Sequence, residues 1–469
     1  MLCRVRFSPC LALFVLCLVT FLSAPLCADG TARAASFEVR VPAAEIPLTS
    51  DLAAETAGDF AGYRHFIVEQ SREPILHFIE REGVPENQSI AHEGVTMHFR
   101  MFKIGEPGPD GYPLFIALHG GGGGSKEVND QQWEDMQSYY RGSVENGIYV
   151  ATRGIRDTWD THFNPESYAL YDQLIEMLLA AEEVDPNRVY LLGFSAGGDG
   201  VYAISPRMPD RFAAVAMSAG HHNGINPTNL YNLPILLQCG QFDSAYDRNL
   251  ETALFSLKLD ELQAQRGGYP HQIYIHLDEG HNFYDNAPDR SPQSVAANPL
   301  DCVQNGECRQ YEANTNSIDF LTDHVRDPLP QTLYWDLSTR APLRLNNSFY
   351  WLSAPETTNQ GTIKASYDDK PQHITVETEN VNGPFSILIN DAMLDLEEPV
   401  TITLNGHTTG PHDLNLDEEL AFDTAIERLD PDFVFQAIIN IVESESETLL
   451  KNIGKRYFRW TFTCIFNTA

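Results

Sequence analysis

The pentapeptide Gly193-Phe194-Ser195-Ala196-Gly197 holds a serine between two glycines, where a predicted strand, 188–192, gives way to a helical stretch. This is the setting of a nucleophile elbow, in which a tight strand-to-helix turn presents the serine hydroxyl for attack on a carbonyl carbon. We expect glycine at both flanking positions because side chains there would collide with the strand and the helix. The motif alone is weak, since ordinary glycine-rich turns also match it.

A second glycine-rich stretch, His119-Gly120-Gly121-Gly122, stands at the end of an earlier apolar run, 114–118. Glycine lets the backbone expose N–H groups to a developing oxyanion, and one such donor typically contributes about 3 kcal/mol to transition-state stabilisation. We therefore expect donors from Gly120 and Gly121, and from the N–H of Ala196 at the helix start. The alternative is a flexible glycine loop without a chemical role.

An acid and a histidine should follow the serine in that order. Asp243 comes three residues after the run 234–240, and His281 comes soon after the run 273–277. A carboxylate in such a position can accept the Nδ1–H of the histidine and fix its tautomer. Asp247 is close enough to compete with Asp243 as the acid. The aspartate that does not serve as the acid is expected to cap the helix that follows.

Trp159 follows the apolar run 148–151. Loops at the carboxyl ends of parallel strands form the ligand sites of such sheets, so we expect Trp159 to line a substrate cleft. The alternative is a core tryptophan.

Several further histidines could suggest a metal site, but no carboxylate or cysteine stands at a metal-ligand spacing from them. We therefore expect that the protein binds no metal and no cofactor. These histidines are expected to have structural roles. They are His221, His222, His271 and His276.

The motifs lie between short apolar runs that alternate with segments of helical length. This alternation predicts an α/β fold, with a mostly parallel sheet covered by helices on both faces. The runs are 114–118, 148–151, 189–192, 213–217, 235–237 and 273–275, and examples of the helical segments are 166–183 and 248–265.

The flanking regions predict a helix over 73–82, with Pro74 in its first turn, and a strand over 95–104. From residue 331 onward, short strand-like runs separated by Pro, Gly and Asn predict a small C-terminal antiparallel β domain, closed by a late strand near 433–441. One helix is expected there, over 420–429. The predicted division is an N-terminal extension at 35–94, a catalytic domain at 95–326, the β domain at 331–443 and a tail at 444–469.

The first residues have the three-part pattern of a signal peptide. Arg4 and Arg6 precede the apolar run 11–23, and small residues follow, so residues 1–34 are predicted to be removed on export. The run is too short for a comfortable transmembrane span. We therefore expect a secreted or periplasmic protein, in which Cys302 and Cys308 form a disulfide and Cys239 is a small buried hydrophobic residue.

The formal net charge of −34 disfavours nucleic acid and anionic membrane surfaces as partners, because the electrostatic attraction would have the wrong sign. A neutral or cationic substrate is easier to accommodate. The sequence contains no feature that indicates an oligomeric state.

Taken together, the glycine loop after His119, the segment 185–190, the elbow and Gly280-His281 resemble the α/β-hydrolase group. That group includes dienelactone hydrolases, polyhydroxybutyrate-depolymerase-like esterases and prolyl-oligopeptidase catalytic domains. The resemblance covers about residues 95–325. Longer strings, such as 193–202 and 240–249, are similar to secreted bacterial hydrolases with a C-terminal β domain.

The resemblance implies that Ser195 is the nucleophile, His281 the base and Asp243 the acid. A dienelactone hydrolase would carry cysteine in place of Ser195, and a prolyl oligopeptidase would carry a large propeller that this chain has no room for. We therefore expect cleavage of small or polymeric carboxylic esters. The alternatives are a serine peptidase acting on short peptides and a non-catalytic protein that binds a surface or polysaccharide, which the intact triad disfavours.

Overall fold

The computed structural model describes residues 35–39, 60–82, 88–344, 347–441 and 460–464. Most of its strands belong either to one large sheet or to a C-terminal β domain. The predicted signal peptide lies outside the described residues. The larger sheet has ten strands. Strand β1 is Ala35–Val39; the ten strands are β2 Ser89–His92, β3 Val95–Ile104, β4 Tyr112–Leu118, β5 Gly147–Thr152, β6 Val184–Phe194, β7 Ala214–Ser218, β8 Ile235–Gly240, β9 His271–His276, β10 Gln293–Ala296 and β11 Gln310–Ala313.

The order of strands across the larger sheet is β11, β10, β9, β8, β7, β6, β4, β5, β3, β2. The six strands from β9 to β5 run parallel to one another, whereas the pairs at both edges are antiparallel. The helices of this region are α1 Phe60–Glu82, α2 Lys126–Tyr139, α3 Ser167–Ala181, α4 Ala196–Ile204, α5 Arg248–Arg266, α6 Pro299–Asn305 and α7 Ser317–Thr322.

Both faces of the sheet are covered, because alternate residues of one strand enter different hydrophobic clusters. In β4, Leu114 and Ile116 pack with residues of α3, α4 and α5, whereas Phe115 packs in the cluster that contains Met136 of α2 and Ile318 of α7. Such strands are apolar on both faces, so they read as continuous apolar runs in the sequence. The predicted α/β class with a mostly parallel sheet is confirmed.

The first helix differs from its prediction. It begins at Phe60 rather than near residue 73, and Pro74 therefore stands in its interior instead of its first turn. Ile67 and Val68 on its first half pack against Phe422 and Ile426 of the β domain, and Ile79 packs into the core of the large sheet. A helix partner that is distant in sequence thus stabilises the segment before the proline. Strand β2 also precedes residue 95, so the large sheet takes in part of the predicted extension.

The C-terminal domain consists of two sheets that enclose a shared hydrophobic core. The predicted antiparallel β domain is present, and one of its sheets also contains a single parallel pair, β16 with β18. The late strand, predicted near 433–441, begins at Ala437 and is preceded by a short 3₁₀ turn at 431–433. The elements are β12 Thr332–Asp336, β13 Ser348–Phe349, β14 Leu352–Ser353, β15 Thr362–Asp368, β16 His373–Glu379, β17 Phe385–Ile389, β18 Val400–Leu404, β19 His407–His412, α8 Glu418–Arg428 and β20 Ala437–Ile441.

A buried cluster of charged side chains joins the two domains. Arg344 and Arg428 of the C-terminal domain bind Asp210, which is fully buried beside the large sheet. Burial alone would raise the pKa of Asp210, but the neighbouring guanidinium groups hold that pKa below its usual value. The same cluster contains Asp172, Glu176 and Arg211.

The two ends of the described chain pair with each other. Strand β21, Trp460–Cys464, runs antiparallel to β1, with Ala35 opposite Cys464. The sequence indicated no function for the predicted tail at 444–469, and strand β21 lies within it.

Candidate active site

The elbow around Ser195 is built at the end of β6, where the chain turns directly into α4. Ser195 has φ 58° and ψ −118°, a conformation that non-glycine residues rarely adopt. A Cβ atom added to Gly193 would lie 2.4 Å from the carbonyl oxygen of Gly197, and one added to Gly197 would lie 2.1 Å from that of Leu118. The two glycines are therefore required by space, as the sequence predicted.

Ser195, His281 and Asp243 come together in a hydrogen-bonded chain. The Nε2 atom of His281 lies 3.0 Å from Ser195 Oγ, and its Nδ1 atom lies 2.8 Å from Asp243 Oδ2. The Asp243 carboxylate is buried, whereas the imidazole is about one third exposed. An imidazole that donates Nδ1–H to a carboxylate has its Nε2 free to accept the serine proton, which is the arrangement needed for general-base catalysis.

Asp247 occupies a different environment from Asp243. It is exposed and stands just before α5 with a left-handed backbone, φ 56°. Its side chain makes no capping hydrogen bond to that helix. The structure thus brings Asp243, and not Asp247, to the histidine, and it does not give Asp247 the expected capping contact.

The loop that carries Asp243 is fastened to the loop that carries His281. The backbone N–H of Gln241 donates to the carbonyl of His276 at 2.8 Å, and its side-chain Oε1 accepts from the N–H of Asp278 at 3.0 Å. A Cβ atom added to Gly240 would lie 1.9 Å from the carbonyl oxygen of Gly280. The close approach of these two loops fixes Asp243 and His281 relative to each other.

The glycine loop after β4 lies against the elbow. A Cβ atom added to Gly120 would lie 3.4 Å from Ser195 Cβ, and one added to Gly122 would lie 3.2 Å from Ala196 Cβ. Strands β4 and β6 are neighbours whose chains continue in opposite directions across the sheet, β4 towards β5 and β6 towards β7. Ligand sites of open α/β sheets lie at such a switch point.

His119 holds this loop from inside the protein. Its Nε2 accepts the N–H of Gly154 at 3.0 Å, so Nδ1 carries the hydrogen and donates to the carbonyl of Gly120 at 2.5 Å. Burial lowers the pKa of His119 to about 4, which keeps the ring neutral near neutral pH.

Sequence reasoning missed Asn129, whose side chain bonds to Gly122. Among the buried residues of α2 are Asn129 and Met136, which are seven positions apart and therefore share one face. An asparagine on the apolar face of a helix was the available signal.

Trp159 lies next to the glycine loop, since its carbonyl oxygen would be 3.4 Å from a Cβ atom on Gly122. Its side chain is 58% exposed and packs edge-on against Phe163. The core alternative does not hold for a tryptophan this exposed.

The other histidines considered as possible metal ligands have surroundings of their own. His276 is buried against Phe283 and bonds to Gln238, and burial lowers its pKa to about 3. His222 bonds to Glu251. In the part of the chain that the structure describes, no group of three or more His, Cys, Asp or Glu side chains could hold a metal ion.

Cys302 and Cys308 form the predicted disulfide, and Cys239 is a buried free thiol. Gln241 donates to Cys308 Sγ at 3.2 Å, so the bridge supports the loop that carries Asp243. None of the described helices is long and apolar enough to cross a bilayer.

The serine elbow follows β6, and Asp243 and His281 follow β8 and β9, which is the chain order of serine, carboxylate and histidine in α/β-hydrolases. The large sheet and its elbow therefore have the α/β-hydrolase fold. Residues 137–323 match the family model described as the Dienelactone hydrolase family.

Relatives of the α/β-hydrolase domain carry esterase names. A protein named as esterase NocK, from Nocardia uniformis subsp. tsuyamanensis, is 31% identical over 157 residues, which are 30% of this chain and 44% of the relative. A protein named as feruloyl esterase C, from Aspergillus terreus, is 31% identical over 113 residues, which are 23% of this chain and 40% of the relative. This chain thus spans less than half of either relative. The predicted resemblance to α/β-hydrolase esterases is confirmed.

Solved structures similar to this chain include one titled as a thermostable esterase. It is 20% identical, covers 51% of this chain and 62% of its own chain, and has a TM-score of 0.34. The poly(3-hydroxybutyrate) depolymerase LpqC from Bordetella parapertussis is 18% identical, covers 46% of this chain and 86% of its own chain, and has a TM-score of 0.31.

Proposed function

We propose that this protein is a serine hydrolase that cleaves carboxylic esters through an acyl-enzyme intermediate. The observation that carries the proposal is the hydrogen-bonded chain from Ser195 Oγ through His281 to Asp243. Ser195 attacks the ester carbonyl while His281 Nε2 takes the hydroxyl proton. Asp243 keeps the imidazole in the required tautomer and stabilises its positive charge.

The negative charge on the carbonyl oxygen needs donors at the elbow. We assign them to the backbone N–H groups of the Gly120-Gly121 loop and of Ala196. The contact between this loop and the elbow supports the assignment. The Ala196 N–H lies at the first residue of α4, where backbone N–H groups lack helical partners and the helix dipole favours negative charge.

The proton then moves from His281 to the leaving alcohol, and the acyl group stays on Ser195 as an ester. A water molecule takes the place of the alcohol, gives its proton to His281 and attacks the acyl carbon. Collapse of the second tetrahedral intermediate returns the proton to Ser195 Oγ and releases the acid.

Trp159 is proposed to contact the part of the substrate that extends beyond the reacting carbonyl. Its exposed ring on the loop beside Gly122 supports this role. Replacement by alanine should raise KM for bulky aryl esters more than for acetate esters, measured by steady-state kinetics. An equal rise for both substrates would contradict the role.

Export to an oxidising compartment is proposed from the N-terminal sequence, and the Cys302–Cys308 disulfide is compatible with it. Matches to proteins named as esterases favour ester cleavage over the peptidase and binding alternatives. Because one relative is named as a feruloyl esterase, a hydroxycinnamate ester belongs in the substrate panel.

The test is fluorophosphonate labelling together with hydrolysis of nitrophenyl esters and peptide p-nitroanilides. The wild type should label and cleave the esters. Ser195→Ala should lose both activities by several powers of ten with an unchanged melting temperature, and Ser138→Ala, an exposed serine on α2, should behave as wild type. Undiminished labelling of Ser195→Ala would contradict the assignment, and cleavage of the anilides alone would favour the peptidase.

A further inference from the structure

The glycine loop between β4 and α2 consists of five consecutive glycines, Gly120 to Gly124. Glycine loses more conformational freedom on folding than any other residue, so such a loop does not hold one conformation by itself. Gly121 and Gly122 have φ values of 98° and 95°, and each could rotate into other allowed regions. An oxyanion donor on this loop therefore needs something outside the loop to fix it.

Asn129 supplies such a constraint. Its side chain is completely buried. The amide bonds both backbone groups of Gly122: Oδ1 accepts the N–H at 2.8 Å, and Nδ2 donates to the C=O at 2.9 Å. Nδ2 also donates to Asp157 Oδ1 at 3.0 Å.

These bonds decide which N–H groups of the loop remain available. The Gly122 N–H is taken up by Asn129, so it is not the oxyanion donor. The Gly120 carbonyl is bonded to His119 inside the protein. The C=O and N–H of a trans peptide point in opposite directions, so the N–H of Gly121 is turned away from His119.

Gly121 thus lies between two fixed peptide groups, with His119 on one side and Asn129 on the other. A Cβ atom on Gly121 would lie 2.4 Å from Asn129 Oδ1, which shows how closely the amide is fitted to the loop. We propose that Asn129 is a positioning residue that presets the Gly121 N–H to bind the oxyanion at Ser195. This inference rests on the proposed function.

The hydrogen bonds of the Asn129 side chain require an amide rather than a carboxylate. An aspartate at this position could accept the Gly122 N–H but could not donate to its carbonyl. It would also place a second carboxylate beside Asp157, which already binds Arg153. Asn129→Asp therefore breaks the constraint while the size of the side chain is retained.

The experiment compares wild type with Asn129→Ala and Asn129→Asp, using a nitrophenyl ester well below the melting temperature of each variant. Removal of an oxyanion donor lowers kcat by about 10²–10³-fold, and a misplaced donor should lower it by about 10–100-fold. KM should change less than about threefold. The second-order rate constant for fluorophosphonate labelling should fall with kcat, because the phosphonyl oxygen occupies the same position. Gln131→Ala, an exposed amide on the same helix, is the matched control and should retain full activity.

A kcat within twofold of wild type in either folded variant would overturn the inference, as would a loss confined to KM or to the melting temperature. If Asn129→Ala fails to fold, the isosteric Asn129→Asp decides the question. Failure of the proposed function looks different, because the wild type itself would then either not label or not cleave the nitrophenyl ester.

Discussion

Asp243 and Asp247 are four residues apart, yet their surroundings give them different chemistry. The Asp243 carboxylate is buried, accepts a hydrogen bond from His281 and lies 3.7 Å from Cys239 Sγ. Asp247 faces solvent. Both follow the same strand, so the sequence alone could not separate them. Which aspartate meets the imidazole depends on where the loop after β9 places His281.

Replacement of either aspartate by asparagine tests this difference. Asp243→Asn keeps the shape of the side chain but favours the wrong imidazole tautomer, so kcat should fall by roughly 10⁴-fold. Asp247→Asn should leave kcat unchanged and alter stability by less than about 0.5 kcal/mol, because its side chain makes no capping bond. Purified variants are assayed on one nitrophenyl ester beside a thermal melt. A loss of kcat in Asp247→Asn with an active Asp243→Asn would reverse the assignment.

At the scale of elements, the loops after β8 and β9 approach each other so closely that there is no space for a side chain at Gly240. A methyl group on Gly240 would overlap the Gly280 carbonyl, whereas one on Gly280 would meet no described atom within 4 Å. The sequence interpretation emphasised Gly280 because it precedes His281. The glycine that the geometry requires is Gly240, three residues before Asp243.

Alanine at each of these glycines gives a matched pair. Gly240→Ala should force the two loops apart, lower stability by about 1–3 kcal/mol or more and reduce kcat by about 100-fold through misplacement of Asp243 and His281. Gly280→Ala should have little effect on either quantity. Chemical denaturation and ester kinetics on both variants check the prediction, and equal effects would contradict it.

The sequence predicted the central strands of the large sheet because they are buried on both faces and are therefore apolar without interruption. The strand-to-helix turn at Ser195 was also predicted, and the structure brings Ser195, Asp243 and His281 into one hydrogen-bonded chain. The first half of α1 was missed because Ile67 and Val68 pack against α8, a partner that is distant in sequence. Asn129 was missed because its role depends on contact with a loop that has no side chains of its own.

At the scale of the whole molecule, the two domains are joined by a buried ionic cluster. Arg428 of α8 binds Asp210 and donates to Ser348 Oγ at 2.8 Å, and Tyr350 donates to the carbonyl of Pro209 at 3.2 Å. Removal of one partner from a buried ion pair typically costs about 3–5 kcal/mol, because the remaining charge stays buried. The β domain and the α/β-hydrolase domain should therefore unfold together.

The stability of the whole chain should also depend on pH through buried His276. Burial lowers its pKa from 6.5 to about 3, so between these values the unfolded chain binds a proton that the folded chain does not. Stability is therefore fully present above pH 6.5 and is lost as the pH falls. Relative to His276→Gln, the wild type should lose about 1.4 kcal/mol per pH unit between pH 6 and 4. Denaturant titrations at several pH values measure the slope, and parallel curves would contradict the prediction.

The backbone at Ser195 also limits which atoms can serve as the nucleophile of this scaffold. A left-handed φ of 58° is tolerated by a short unbranched side chain but is strongly unfavourable for a β-branched one such as threonine. Cysteine has the same shape as serine, and the dienelactone hydrolases that this chain resembles carry it here. The elbow therefore permits cysteine, with a thiol in place of the hydroxyl, by a single substitution at Ser195. It disfavours threonine, whose hydroxyl is a secondary alcohol.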